Sequence, residues 1–145
     1  DVLAGILDAR LRAGVAEKGG LATSTGATAW ASRGWGVLAV RAVAPSPNLA
    51  ALVEAVMAAI AGLAIDPPSA AEVAGARARL VEDRAVALAL PGTAAPLVAG
   101  SLVTGETLLA AADLDAALGA VDGARLSALA GAWLSAPPVV ASVSP

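Results

Sequence analysis

Residues 3–25, LAGILDARLRAGVAEKGGLATST, decide the fold because they predict a helix, a turn and a strand in succession. Apolar residues recur there at three- and four-residue spacing, so they share one face of a helix from Leu3 to Lys18. These residues are Leu3, Ile6, Leu7, Leu11 and Val15. Gly19-Gly20 predicts the end of the helix, where a left-handed conformation favours glycine. The residues from Leu21 to Thr25 then indicate a strand.

A β-hairpin is predicted from residues 20–30 and 34–43, joined through residues 31–34. Both faces of its second strand are largely apolar, which predicts helices on one face and partial cover on the other. Trp30 and Trp35 flank the turn, and we interpret them as a cross-strand aromatic contact rather than a ligand-stacking pair. The hairpin predicts an α+β fold in which an antiparallel sheet has helices packed on one face.

A long helix follows the hairpin. Its apolar stripe is the strongest in the chain and consists of Leu49, Leu52, Val53, Val56, Met57, Ile60 and Leu63. Met57 on this stripe is interpreted as filling core space rather than binding a metal or cofactor. Asp66-Pro67-Pro68 ends the helix, because proline cannot continue it.

The next helix has a marked beginning. Ser69 and Glu72 form a capping box, in which each side chain accepts a hydrogen bond from a free backbone N–H of the first turn. This helix is expected to end near Ala89. The remaining predicted elements are helices at residues 94–103, 114–118 and 123–134, and a final strand at residues 139–143 that closes against the hairpin.

Length and charge bound the possible partners. The chain has 145 residues, which suits one domain, and a formal net charge of -3. Its nine basic residues are spread along the sequence, so no basic face is available for a phosphate backbone and no nucleic-acid partner is expected. With no cysteine, the chain has no disulfide framework.

The mean hydropathy of +0.78 is high for a soluble domain. Alanine accounts for 41 residues, and each alanine side chain buries little area. The longest uncharged run, residues 85–105, contains Pro91-Gly92 and Pro96 and is interpreted as two helices and a turn. We therefore predict no membrane span.

The side chains needed for common catalytic sites are missing. The sequence contains neither histidine nor cysteine, so it cannot assemble a zinc site of imidazole or thiolate ligands. A serine nucleophile would lack its usual base. The glycines form neither a dinucleotide-binding nor a Walker pattern. The sequence predicts that this chain alone is not a catalyst.

The sequence of residues 3–23 resembles a conserved segment of the pitrilysin/insulinase family of zinc metallopeptidases, the inverzincins. Leu-Ala-Gly-x-x-x-Ala-Arg-Leu at residues 3–11 and VAEKGGLAT at residues 15–23 match, without a gap, the family phrase L-G-G-x-x-x-S-R-L-x-x-x-L-R-E-x-x-G-L-A-Y. Further residues of this chain match later family motifs, and they occur in the same order along the sequence. They are Pro67, Ser69, Glu72, Ala76 and Arg77 before and within the third long helix, and Val121, Asp122 and Leu126 at the last helix.

The resemblance implies a half-domain of the metallopeptidase α/β roll, spanning residues 1–145 as a single domain. It corresponds to the non-catalytic C-terminal half. Because the sequence begins at Asp1 rather than at an initiator methionine, we expect it to be a fragment of a longer polypeptide. The half-domain's opening strands would lie outside this sequence. A sheet without them is expected to expose an unpaired edge and apolar surface.

Ala16 and Thr23 are the candidate substrate-binding positions that the resemblance implies. The family has an arginine at the position of Ala16 and a tyrosine at the position of Thr23, and that pair helps to hold substrate beside the zinc. Both are substituted here. No catalytic and no metal-binding residue is predicted in this chain, and zinc is expected only in a partner half.

The resemblance leads to two functional hypotheses. In the first, this chain is a non-catalytic domain or subunit of a zinc metalloendopeptidase-like protein, which helps to form a peptide-holding chamber and docks to a zinc-bearing half or to a second copy. In the second, it is a proteolytically inactive structural subunit of a larger assembly. A third possibility is an unrelated alanine-rich α/β domain that binds a small molecule.

Overall fold

The computed structural model describes residues 1–32, 35–105, 107–133 and 138–143. In chain order, the elements in this part of the chain are α1 (Val2–Leu11), a π-helical segment (Arg12–Lys18), β1 (Ser24–Ser32), β2 (Trp35–Val43), a 3₁₀ turn (Ser46–Asn48), α2 (Leu49–Ile65), α3 (Ala70–Ala89), α4 (Pro91–Thr104), α5 (Ala111–Leu118) and α6 (Gly123–Trp133). The strands pair in an antiparallel sheet, so the predicted α+β class is confirmed.

Helix α1 lies at the centre of the molecule. It packs against β1, α2 and α3, and the side chains of Leu7 and Leu11 are fully buried. Every residue of the predicted stripe from Leu3 to Val15 is buried, which confirms the helical spacing. The helix reaches Lys18 as predicted, but its last seven residues form the π-helical segment.

The sheet presents one face to the helices and the other to the outside. Leu38, Val40 and Ala42 of β2 pack against the core, whereas Val37 and Val43 on the opposite face are about half exposed. The helices therefore cover one face of the sheet, as predicted, and the outer face exposes apolar side chains.

Strand β1 extends two residues further into the turn than the sequence predicts. The register pairs Ser32 with Trp35, so the strands include two residues that were predicted to belong to the turn. Arg33 and Gly34 of the predicted turn lie outside the described residues. At the other end the ladder begins at Ser24 rather than at Gly20, because the chain first completes the turn at Gly20, whose φ is +59°.

Trp30 and Trp35 are placed on the outer face by the same register. Trp30 pairs with Val37 and Trp35 with Ser32, so the two tryptophans are diagonal neighbours and not directly opposed. Their exposed fractions are 56% and 59%. The predicted contact between the rings stays a prediction.

The interpretation of Met57 as core filling is wrong. On α2, Leu52 and Leu63 are buried and Val56 and Ile60 pack against the core, but Met57 lines an open groove beside β2. The reason is the width of the sheet. Among the described residues it ends at β2, so no further strand covers this side of α2.

The predicted final strand at residues 139–143 is not formed. These residues make no ladder with the hairpin, and Val139 and Val143 are each 97% exposed. They lie along the groove that also borders β2 and α2. Because the groove separates the segment from β2, the ladder hydrogen bonds that define a strand do not form.

The predicted helix ends agree well with the structure. The capping box of Ser69 and Glu72 is present at the start of α3, and Gly105 ends α4 in the left-handed conformation at φ +69°. Helix α4 begins at Pro91, earlier than predicted, because proline is favourable in the first helical turn. Helix α5 also begins earlier, at Ala111. The amide of Arg125 donates to Asp122 Oδ1 over 2.8 Å, so Asp122 caps α6.

One helical stretch, Ser46–Ile65, is long and apolar enough to cross a membrane by length and composition alone. Helices α3 and α4 pass the same test only as a pair bent by 107°. In the structure, α2 within this stretch packs against α1 and α6, with Leu52 and Leu63 in the core. The absence of a membrane span stays a prediction.

An ion-pair cluster fixes α1 to the start of α3. Arg10 Nε donates to Glu72 Oε1 over 2.7 Å, and its Nη1 donates to the Asp66 carbonyl over 3.2 Å. The guanidinium of Arg10 and the backbone amide of Ser69 stabilise the carboxylate and lower the pKa of Glu72 to about 2. The same hydrogen bond to Glu72 raises the pKa of Arg10.

Glu72→Gln should destabilise the chain by about 1 kcal/mol at neutral pH, a modest value because the Glu72 side chain is 35% exposed and solvent screens the ion pair. The folded state lowers the pKa of Glu72, so this stabilisation is complete above about pH 4.5 and is lost as the pH falls towards 2. Chemical denaturation across that range should therefore show a smaller acid dependence for the variant. Glu54→Gln, on the exposed side of α2, should retain the wild-type pH dependence.

Gly123 is required by a close approach of α6 to the turn before α3. A Cβ at this position would overlap the carbonyl oxygen of Pro68. Gly123→Ala should therefore destabilise the chain by about 1–3 kcal/mol in urea denaturation. Gly131→Ala lies in the same helix with no atom near the added Cβ, and it should stabilise by about 0.5–1 kcal/mol. Equal effects of the two substitutions would contradict this explanation.

Candidate functional site

Ala16, the first predicted site position, lies in the π-helical segment and is half-buried. Its carbonyl accepts a hydrogen bond from the amide of Gly20 over 3.2 Å, and the Val15 carbonyl accepts one from Leu21 over 3.1 Å. The segment thus reverses direction within a few residues and leads directly into the sheet. π-Helical turns occur often at functional sites because they displace side chains from the regular helical positions.

Thr23, the second predicted position, lies at the entrance to β1 and is exposed. Its amide donates to the Val43 carbonyl over 2.7 Å, and its Oγ1 donates to the same oxygen over 3.1 Å. The hydroxyl therefore fixes the start of the hairpin to its end. Ala16 and Thr23 flank the Gly19-Gly20 turn, but a role for them in holding substrate stays a prediction.

Metal-binding groups do not converge in the part of the chain that the structure describes. Within those ranges no three Asp, Glu, His or Cys side chains come together in a way that could hold an ion. The carboxylates of Asp8 and Glu72 are instead paired with arginines, at 2.7 Å in each case. Asp8 pairs with Arg12 one helical turn further along the chain, and Glu72 joins α3 to α1.

One concave feature of the described residues is an apolar groove of about 620 Å³, which the sequence analysis missed. We call it the β2 groove. Its walls are β2 with the residue after it (37–40 and 42–44), one side of α2 (Leu49, Leu52, Val53, Val56, Met57 and Ile60) and residues 138–143. Ser142 supplies the one polar side chain among these lining residues, and none of them is charged.

The β2 groove combines an apolar wall with a strand edge. β2 pairs with β1 on one side, and the groove runs along β2 and α2. Unpaired backbone N–H and C=O groups at a strand edge can bind an extended chain, while an apolar wall receives alternate side chains. Two features of the sequence could have indicated the β2 groove. Both faces of β2 are apolar, and the apolar stripe on α2 is wider than the core requires.

A second, smaller cleft of about 370 Å³ lies where α1, β1 and α3 meet. Trp30 and Thr28 line one side, and Asp8, Arg79 and Asp83 line the other. Asp8 is paired with Arg12, so its charge is compensated. The mixture of charges gives this cleft no clear ligand preference.

Sequence comparison identifies a family. The model of the Peptidase M16 inactive domain matches residues 1–80, which extend from α1 into α3 and include the hairpin. No curated protein matches the chain.

Structural comparison supports the fold. The crystal structure of a conserved protein from Enterococcus faecalis V583 is similar to 90% of this chain, with a TM-score of 0.70 and 19% sequence identity. The match covers 31% of that protein, so the present chain corresponds to about one third of its length.

Family membership confirms the predicted relationship to the pitrilysin/insulinase peptidases and excludes an unrelated small-molecule-binding domain. The matched family consists of inactive domains, in agreement with a sequence that has no histidine or cysteine. The chain belongs to the Peptidase M16 inactive domain family and is a non-catalytic domain of the M16 fold.

Proposed function

We propose that this chain helps to form a peptide-holding chamber by docking, as a non-catalytic half, against a zinc-bearing half of the same family. The β2 groove carries the proposal. Among the described residues, β2 has no partner strand on the side of the groove, and the adjoining wall is apolar and without charged side chains. Such a surface binds an extended peptide through its main chain and its apolar side chains, so it suits a holding role rather than a catalytic one.

The exposed outer face of the sheet supports a protein partner. Trp30 and Trp35 are more than half exposed there, and Val37 and Val43 are nearly so. Exposed aromatic residues grouped with aliphatic ones are typical of protein interfaces. Residues 1–145 would form one half-domain, and the zinc would belong to the partner.

A structural role in a larger assembly is the second candidate, and Thr23 favours it. The Thr23 hydroxyl is already hydrogen-bonded to the Val43 carbonyl, and Ala16 has no polar side chain. These two positions therefore offer no side chain with the reach of the family's arginine and tyrosine. In this case the apolar surfaces would hold the assembly together and no peptide would bind.

Docking can be tested by mixing the purified chain with a zinc-bearing half that carries the H-x-x-E-H motif. The expected result is a complex in analytical ultracentrifugation and increased hydrolysis of a fluorogenic peptide by that half. Val53→Asp, which places a charge in the β2 groove, should lower kcat/KM of the complex about tenfold or more. Ala58→Asp places the same charge on the exposed side of α2 and should have little effect.

The outcomes distinguish the two candidates. A complex without any change in hydrolysis would favour the structural role, whereas failure to form a complex would contradict both. If Val53→Asp lowers the free energy of unfolding, the milder Val53→Thr serves in its place, since it introduces a polar group with little change of shape.

The predicted substrate positions can be tested by restoring the family side chains. Ala16→Arg combined with Thr23→Tyr should raise kcat/KM of the complex about tenfold if these positions border the bound peptide, because a correctly placed side chain orients the substrate. Thr23 is exposed and Ala16 is half-buried. The control is Arg12→Ala with Glu17→Ala, two changes at exposed positions of the same segment. Equal rates for the restored variant and wild type would argue against a substrate role.

A further inference from the structure

The outer face of the hairpin groups four exposed side chains. Side chains alternate between the two faces of a strand, and Leu38 of β2 packs against the core. The register of the strands therefore places a set of exposed residues on the opposite face, which are Trp30, Trp35, Val37 and Arg41. We call these four residues the outer-face patch.

The tryptophans of the outer-face patch contribute little to the core. The chain has three tryptophans and neither tyrosine nor phenylalanine, and Trp133 packs against the core. Trp30 and Trp35 are instead more than half exposed, so much of their apolar surface is not buried by folding. Tryptophan and arginine are among the residue types that most often carry the binding energy of protein interfaces. The outer-face patch contains both.

Arg41 gives the outer-face patch a charge opposite to that of the whole chain. It is the one charged residue among residues 24–32 and 35–43, whereas the chain has a formal net charge of -3. Within the described ranges its guanidinium has no ion-pair partner. Gly26 lies opposite Arg41 in the ladder, and a Cβ added to Gly26 would meet no atom within 4 Å. A carboxylate therefore has room to bind the guanidinium through two hydrogen bonds.

The apolar and charged parts of the outer-face patch lie a fixed distance apart. Trp30 pairs with Val37, and Arg41 follows Val37 by four residues, which corresponds to about 13 Å along a strand. In an extended segment lying over this face, residues i and i+4 point to the same side and are also about 13 Å apart. The outer-face patch therefore matches a segment that has an apolar residue and a carboxylate at this spacing.

We propose that the outer-face patch docks an extended acidic segment of the partner half. An apolar side chain of that segment packs against Trp30 and Trp35, and a carboxylate four residues away binds Arg41. A folded partner holds such a segment extended in advance, which reduces the entropy lost on binding. The assignment of the segment to the partner half rests on the proposed function, whereas the recognition of an apolar and acidic segment does not.

NMR titration with capped synthetic peptides tests the recognition. The first peptide is a threonine heptamer with leucine at its second position and glutamate at its sixth, and the second peptide has the glutamate at its fifth position. The first should shift the indole N–H resonances of Trp30 and Trp35, with Trp133 as the internal control. It should bind about tenfold more tightly than the second, because in an extended chain only residues an even number apart share a face.

Exchanging the charges tests the contact with Arg41. Arg41→Glu should bind the first peptide about tenfold less tightly, and it should bind a peptide with lysine in place of the glutamate about tenfold more tightly than the wild type does. Arg125→Glu makes the same change of charge at an exposed position of α6 and should alter neither value. Trp30→Thr retains strand propensity and should weaken binding of the first peptide about tenfold.

The complex with a zinc-bearing half tests the source of the segment. In analytical ultracentrifugation Arg41→Glu should weaken that complex about tenfold, and Arg125→Glu should leave it unchanged. Equal binding of the first two peptides, or undiminished binding of the first peptide to Arg41→Glu, would overturn the recognition. A complex that Arg41→Glu leaves unaltered would overturn the assignment to the partner half. Peptide recognition without any complex of the wild-type chain would support the outer-face patch and count against the proposed function.

Discussion

The burial of α1 is the constraint on which the rest of the structure depends. The side chains of Leu7 and Leu11 are fully excluded from solvent because the hairpin covers one side of the helix and α2 and α3 cover others. Each of these elements alone would expose an apolar face, and together they bury a single core. The paired Arg10 and Glu72 then join α1 to the start of α3 through a charged contact at the edge of this core.

The narrow sheet explains the apolar surface that remains. Two strands are enough to cover α1 but do not extend over the near side of α2, where Val53 and Met57 border the β2 groove. In the part of the chain that the structure describes, no helix covers the outer face of the hairpin, and Trp30 and Trp35 are exposed there. These apolar surfaces are the ones to which we assign the proposed contacts with a partner half or a peptide.

Local signals in the sequence predicted much of the fold. The capping box of Ser69 and Glu72 predicted the beginning of α3, because a cap is a hydrogen-bond pattern completed within four residues. Gly20 and Gly105 marked ends of helical segments, since each adopts a positive φ that other residues avoid. The candidate site was predicted less well. The resemblance located Ala16 and Thr23 beside one turn, but it gave no indication of the β2 groove.

The sequence by itself determined the helices, the hairpin, the buried face of α1 and the absence of the side chains needed for zinc binding. These properties depend on residue type and on spacing over a few turns. The tertiary structure alone decided that Met57 lines a groove rather than the core, and that residues 139–143 lie across that groove without pairing. The physical reason is that burial and strand pairing depend on which distant segment lies opposite, and periodicity within one segment carries no information about its neighbour.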